Sequence, residues 1–206
     1  MRRHSIELGL LGVAAGVAVI AAMLALHGTG TEAWQLATRY TARTSFFVFM
    51  AVYLVGPVAR LWRPGFIAGA LRQRRGLGLA FTGAHFVHLG ALTTFFSFGT
   101  ASPATQTVVF GGLAFAFIAA MAATSNDWSV RTLGPRVWGR LHRIGLHYVW
   151  LIFAFTLLGR ALHPRIRDFD SAVDRLMFVL ALGALAFRAA VSLAARARAP
   201  VAEGAG

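Results

Sequence analysis

Cysteine is absent from this chain, which excludes disulfides, thiolate-held iron–sulfur clusters and haem attached covalently through C-x-x-C-H. Histidine and methionine are the soft ligands left. Lysine is absent too: the 20 cationic residues are all arginine, set against 7 acids for a net charge of +13. Such an excess suits either nucleic acid or a membrane surface. Here the arginines fall in short segments between apolar runs, so the expected partner is membrane lipid and not nucleic acid. Only 13% of residues are charged and 57% are hydrophobic, too apolar for a soluble domain. The middles of the apolar runs carry no carboxylate, Glu7 and Asp174 standing only at run ends, which counts against a proton pump.

Crossing ~30 Å of hydrocarbon takes about 20 helical residues at 1.5 Å each. Six runs meet that length, at roughly 6–27, 42–60, 76–98, 108–124, 136–160 and 172–195. The expected fold is an all-α integral membrane protein, a six-transmembrane-helix bundle forming a single transmembrane domain over 1–206. The first run has the basic start of a signal peptide but is longer than a signal's apolar core, so it reads as a retained span. Its Gly9, Gly12 and Gly16 offer one small-residue face to a neighbour. The second run is short between Arg43 and Arg60 and contains Pro57, and it needs arginine snorkelling to span. The uncharged FGTASPATQT joins the third and fourth runs. In TSNDWSVRTLGPRVWGRLHR, Pro135 stands where a first-turn proline starts the fifth span. A polar loop, RALHPRIRDFDSAVDR, precedes the sixth, on which Arg188 reaches the interface.

Basic residues are retained on the cytoplasmic side of short loops. With the N-terminus inside, the inner segments hold Arg2, Arg3, Arg60, Arg63, Arg72, Arg74, Arg75, Arg131, Arg136, Arg140, Arg143, Arg196 and Arg198. The outer segments hold Arg39, Arg43, Arg160, Arg165, Arg167 and Arg175, largely offset by Glu32, Asp168, Asp170 and Asp174. The expectation is a multi-pass protein of a bacterial inner (plasma) membrane with both termini cytoplasmic.

The stretch Arg74 to Leu92, RRGLGLAFTGAHFVHLGAL, puts His85 and His88 inside the third span. An imidazole at bilayer depth is costly unless neutral and paired, which makes it a functional candidate. On the fifth span lie His142 and His147. The third and fifth spans run in the same direction, and depth reckoned from flanking arginines puts all four histidines in the inner half or near the middle. Neutral imidazole is the natural axial ligand of haem iron, and two from facing helices can hold a macrocycle between them. Without cysteine the haem is b-type and non-covalent, and two-sided ligation favours electron transfer over oxygen binding. Arg74, Arg75, Arg140 and Arg143 are candidates to pair with its propionates, although each also serves as an interface anchor. Histidines three to five residues apart lie only ~5–8 Å apart along a helix, which fits one haem and not two. Depth pairs His85 with His147 as well as it pairs His88 with His142, and any of the four could instead be a hydrogen-bonding core histidine. His27 and His163 sit at outer ends and read as solvated. His4 is tail.

The run RRGLGL followed by His88, and ATSNDWSVRTLGPRVWGRLHR ending in Leu141 to Arg143, resemble the ferric reductase-like transmembrane domain family. Within it, the closer resemblance is to the membrane subunits that bind haem for a methionine sulfoxide reductase, and the more distant one to the membrane part of NADPH oxidases. It covers about Thr41 to Arg160. The resemblance implies that His88 and His142 are the primary haem ligands; His85 and His147 remain the alternative ligands that depth offers. Two family histidines are missing: one on the fifth span falls at Phe155, and the second third-span histidine of the oxidases falls near Pro103.

The expected function is a b-type haem electron-transfer subunit without its own nucleotide-binding domain. A cytoplasmic flavin reductase, FMN or a quinol would be the donor, and a periplasmic reductase or other oxidant the acceptor. The basic segment Arg60 to Arg75 suits an acidic donor, a flavin phosphate or anionic lipid. Gly76, Gly78 and Gly83 do not have dinucleotide-loop spacing, and no strand precedes them. Gly83, Gly90 and Gly145 make room either for a flat cofactor or for helix contact. A rival reading is a cofactor-free scaffold or carrier with a buried histidine relay.

Overall fold

The computed structural model describes residues 2–62, 64–99, 102–162 and 168–197. His163, Arg63, Arg165, Arg167 and Arg198, all weighed above, lie outside them. Seven helices make up the described chain: α1 Arg2–His27, α2 Thr31–Leu61, α3 Gly65–Arg72, α4 Arg74–Ser97, α5 Thr105–Ala123, α6 Asp127–Leu162 and α7 Asp168–Ala197. All but α3 are long and apolar enough to cross a membrane.

Two of these helices are longer than their apolar runs. The second run was expected to begin near Ala42, but α2 begins at Thr31, because Ala33, Ala37, Thr38 and Thr41 are all buried against neighbours. Hydropathy sees the polar residues of that segment and not the helix face that packs. Likewise α7 begins at Asp168, which brings Asp174 into the helix pack. The short α3 covers part of the loop assigned to Arg60 to Arg75.

Helix contacts define a ring in the order α4, α2, α7, α6, α5 and back to α4, with α1 packed outside against α4 and α2. The parallel helices α4 and α6 therefore face each other across the interior. A band of Phe46, Phe49, Tyr53, Phe81, Val149, Trp150 and Met177 fills the ring's middle. Trp150 Nε1 donates to the Ala181 carbonyl at 2.9 Å, tying α6 to α7.

The glycine face of α1 meets α4. A side chain at Gly12 would run into the Ala80 backbone, one at Gly16 would come within 2.9 Å of Val87, and one at Gly83 within 2.7 Å of the Gly9 carbonyl. Backbone-to-backbone approach of this kind is what holds helices together where lipid removes the hydrophobic drive. Gly12→Val is expected to prise α1 from α4 and cost about 1–3 kcal/mol, the usual range for overpacking. Thermal unfolding in micelles measures it, and an unchanged midpoint would remove the contact from the account.

The entry to α6 is built locally. Asn126 Oδ1 accepts from the Ser129 amide at 2.8 Å, an N-cap. Gly134, at φ 74°, then breaks the helix before Pro135, so the transmembrane part starts at the proline and 127–133 is a separate helix of about two turns; a β-carbon at position 134 would strain that left-handed backbone.

Candidate functional site

A cavity of about 390 Å³ lies inside the ring between α2, α4, α5 and α6, within the roughly 300–1,000 Å³ usual for small-molecule and cofactor sites. Phe46, Phe96, Phe115 and Phe153 line it, and His85, His88, Arg43, Arg160 and several threonines, Thr38 among them, are its polar groups. It occupies the half of the molecule that holds the α4–α5 and α6–α7 connections, since Pro103, Thr107 and Arg160 are at its rim.

His88 owes its orientation to α2. Its Nδ1 is 3.1 Å from Thr41 Oγ1, and that hydroxyl donates its single proton to the Ala37 carbonyl at 2.7 Å. The Thr41 oxygen can then only accept, so the proton of the His88 ring sits on Nδ1 and the lone pair on Nε2. This is the arrangement that orients a ligating histidine, one ring nitrogen tied to the protein and the other presented. The hydroxyls of Thr38, Thr41 and Ser45, all buried, recur at helical spacing along α2. That stripe was visible in the sequence and was not used.

One turn back, His85 is 9% exposed and sandwiched by aromatic rings, 4.7 Å from Phe115 and 5.2 Å from Phe81, centroid to centroid. Its Nδ1 is buried without a hydrogen-bond partner. A buried unpaired ring nitrogen costs free energy, and this one lies on the cavity wall. The two imidazoles are 5.3 Å apart.

The fifth-span histidines are elsewhere. His142 stacks on Trp138 at 4.1 Å, its Nδ1 donates to the Trp138 carbonyl at 3.1 Å, and Ser125 Oγ is 3.5 Å from Nε2. Trp138 Nε1 in turn donates to the Thr124 carbonyl at 2.8 Å. Much of the TS…W…LHR pattern thus clamps the α5–α6 turn. His147 donates Nδ1–H to the Arg143 carbonyl at 2.7 Å and meets the Tyr53 ring edge-on at 5.9 Å.

Phe153 on α6 is level with His85, their rings 5.5 Å apart. His142 precedes Phe153 by 11 residues, which is ~16 Å of helix, and neither His142 nor His147 lines the cavity. Depth counted from the arginines placed all four together; the structure places His85 and His88 together, and His142 near the arginine-rich end. In this arrangement His88 and His142 cannot grip one iron from opposite faces. The count itself explains the separation: His142 follows Arg140 by two residues, whereas His85 and His88 follow Arg75 by ten and 13, so His142 stays near the arginine-rich end.

The propionate candidates follow His142. Arg75 pairs with Asp127, while Arg74, Arg140 and Arg143 are exposed and line no part of the cavity. The arginines that do are Arg43 and Arg160. Arg43 Nη2 donates to Asp174 Oδ1 at 2.9 Å, with both side chains under a tenth exposed, so a carboxylate does lie within the helix pack. The charge count had assigned both residues to the outer segments. The position of the missing family histidine, Phe155, is 64% exposed and faces outward. Of the glycines read as space for a cofactor, Gly83 touches α1 and Gly145 touches Met121; Gly111 and Gly112 are the ones on the cavity.

No protein-family model, curated protein or solved structure matches this chain.

Proposed function

We propose that this chain is a membrane redox subunit whose cavity holds one b-type haem, with His88 as the axial ligand through Nε2. The observation that carries the reading is the His88 ring itself, its Nδ1 committed to Thr41 on the wall of a cavity of cofactor size. The residues present fit such a group on three counts: a fixed imidazole, aromatic walls, and Arg160 for a carboxylate. They do not supply a second imidazole from across the ring, so the two-histidine ligation implied by the family resemblance is not part of the proposal.

Bound there, haem would supply a one-electron couple. Thr41 sets the His88 tautomer, the phenylalanines exclude water, and the Arg43–Asp174 pair holds α2 against α7 beside the site. Arginine asymmetry supports an orientation with the Arg75 end cytoplasmic, the donor there being a flavin reductase, FMN or a quinol, and a periplasmic acceptor near Arg160.

Titrating the purified protein with haem and following the visible spectrum tests this. Wild type is expected to bind one equivalent, and Thr41→Val to bind about 10–100-fold more weakly, the usual effect of losing a ligand's orienting partner. A protein that takes up no haem, or a Thr41→Val variant that binds like wild type, sinks the reading. One observation favours a second occupant: two imidazoles on the same wall, one with an unpartnered nitrogen, suit a quinol, whose hydroxyl can donate to the His88 Nε2 lone pair. Quinone extracted with the protein and displaced by a quinone analogue would mark that outcome.

A further inference from the structure

Beyond the histidine cavity, toward the arginine-rich end, Arg188 is half-buried within α7, nine residues before its end at Ala197. Its Nη1 donates to the Tyr53 carbonyl at 2.8 Å, and its guanidinium lies 4.8 Å from the centre of the Tyr53 ring. Neither partner neutralises it. The other charges around it have the same sign: Arg60, Arg74 and Arg143, from α2, α4 and α6, all act on it electrostatically.

The acids whose side chains are described are committed elsewhere or distant. Glu7 meets His4, Asp127 meets Arg75, Asp174 meets Arg43, and Glu32 is in the first turn of α2, at its other end from Arg60. A guanidinium inside a membrane span without a counter-charge is costly, and three like charges beside it raise that cost.

We propose that Arg188, with Arg60, Arg74 and Arg143 from three neighbouring helices at the same end of the bundle, binds a phosphate group. Guanidinium forks match phosphate oxygens bidentately, and basic pockets between membrane helices are where anionic headgroups are held. The phosphate comes either from an anionic phospholipid or from solution. The site is independent of the haem reading, because none of its residues lines the histidine cavity.

The test is thermal unfolding of the full chain in neutral-detergent micelles, with phosphatidylglycerol against phosphatidylcholine, and inorganic phosphate against chloride at equal ionic strength. Stabilisation by phosphatidylglycerol alone identifies the lipid source, and stabilisation by inorganic phosphate identifies the soluble one. In either case Arg188→Gln should weaken the apparent affinity at least tenfold. Arg74→Gln, at an exposed residue whose loss leaves the Arg188–Tyr53 contacts intact, should weaken it several-fold without unfolding the protein. No stabilisation by either anion, or variants that respond like wild type, would overturn the proposal.

Discussion

Asp174→Leu is expected to be among the most destabilising single changes in this protein, costing about 3–5 kcal/mol, because it removes one partner of a buried ion pair. Arg43 and Asp174 are 7% and 8% exposed, so water cannot take over the lost contact. Replacing both, in Arg43→Leu with Asp174→Leu, removes the charges together and should recover most of the loss, since apolar packing often equals a buried pair. Asp174→Asn, which keeps an acceptor oxygen but no charge, should fall between. Unfolding in mixed micelles with increasing denaturing detergent measures the series. A double variant no more stable than Asp174→Leu would mean that the two residues act separately and that the pair does not fasten α2 to α7.

The second large effect separates two histidines that the sequence ranked equally. His88→Ala is expected to lower bound haem to less than about a tenth of wild type, since the single axial imidazole goes with it. His142→Ala should keep most of the haem and lose stability instead, roughly 1–2 kcal/mol from a hydrogen bond to Trp138 and a stacked pair. His85→Phe, which preserves the aromatic sandwich, should reduce affinity only modestly. Haem content per chain after purification, with the unfolding midpoint measured alongside, gives both readouts. Equal loss of haem in His88→Ala and His142→Ala would return the site to a cross-helix pair and require α6 to sit differently.

Much of the architecture could be read from the residues, because bilayer thickness imposes a length that hydropathy detects directly. The six runs all became helices, and the Gly9, Gly12, Gly16 face found a neighbour in α4. What hydropathy could not reach was the helix beyond the apolar run. Thr31 to Ala42 and the start of α7 read as polar, yet they carry Thr41 and Asp174, whose partners are 47 and 131 residues away along the chain. His85 and His88 were found because an imidazole stands out in an apolar run. Thr41 was not, because a threonine that donates to its own helix looks ordinary until another side chain accepts the oriented oxygen as a partner. The pairing of His88 with His142 rested on the resemblance and not on depth: His88 lies 13 residues past Arg75, whereas His142 lies only two past Arg140, and a helix rises about 1.5 Å per residue.

The central claim is tested most directly by the axial-ligand signature of the ferric protein, read by electron paramagnetic resonance after reconstitution with haem. The account predicts a haem bound through one imidazole, with a signal that His142→Ala leaves unchanged and His88→Ala abolishes. A bis-imidazole low-spin signal lost in either variant, or no bound haem at all, would contradict it.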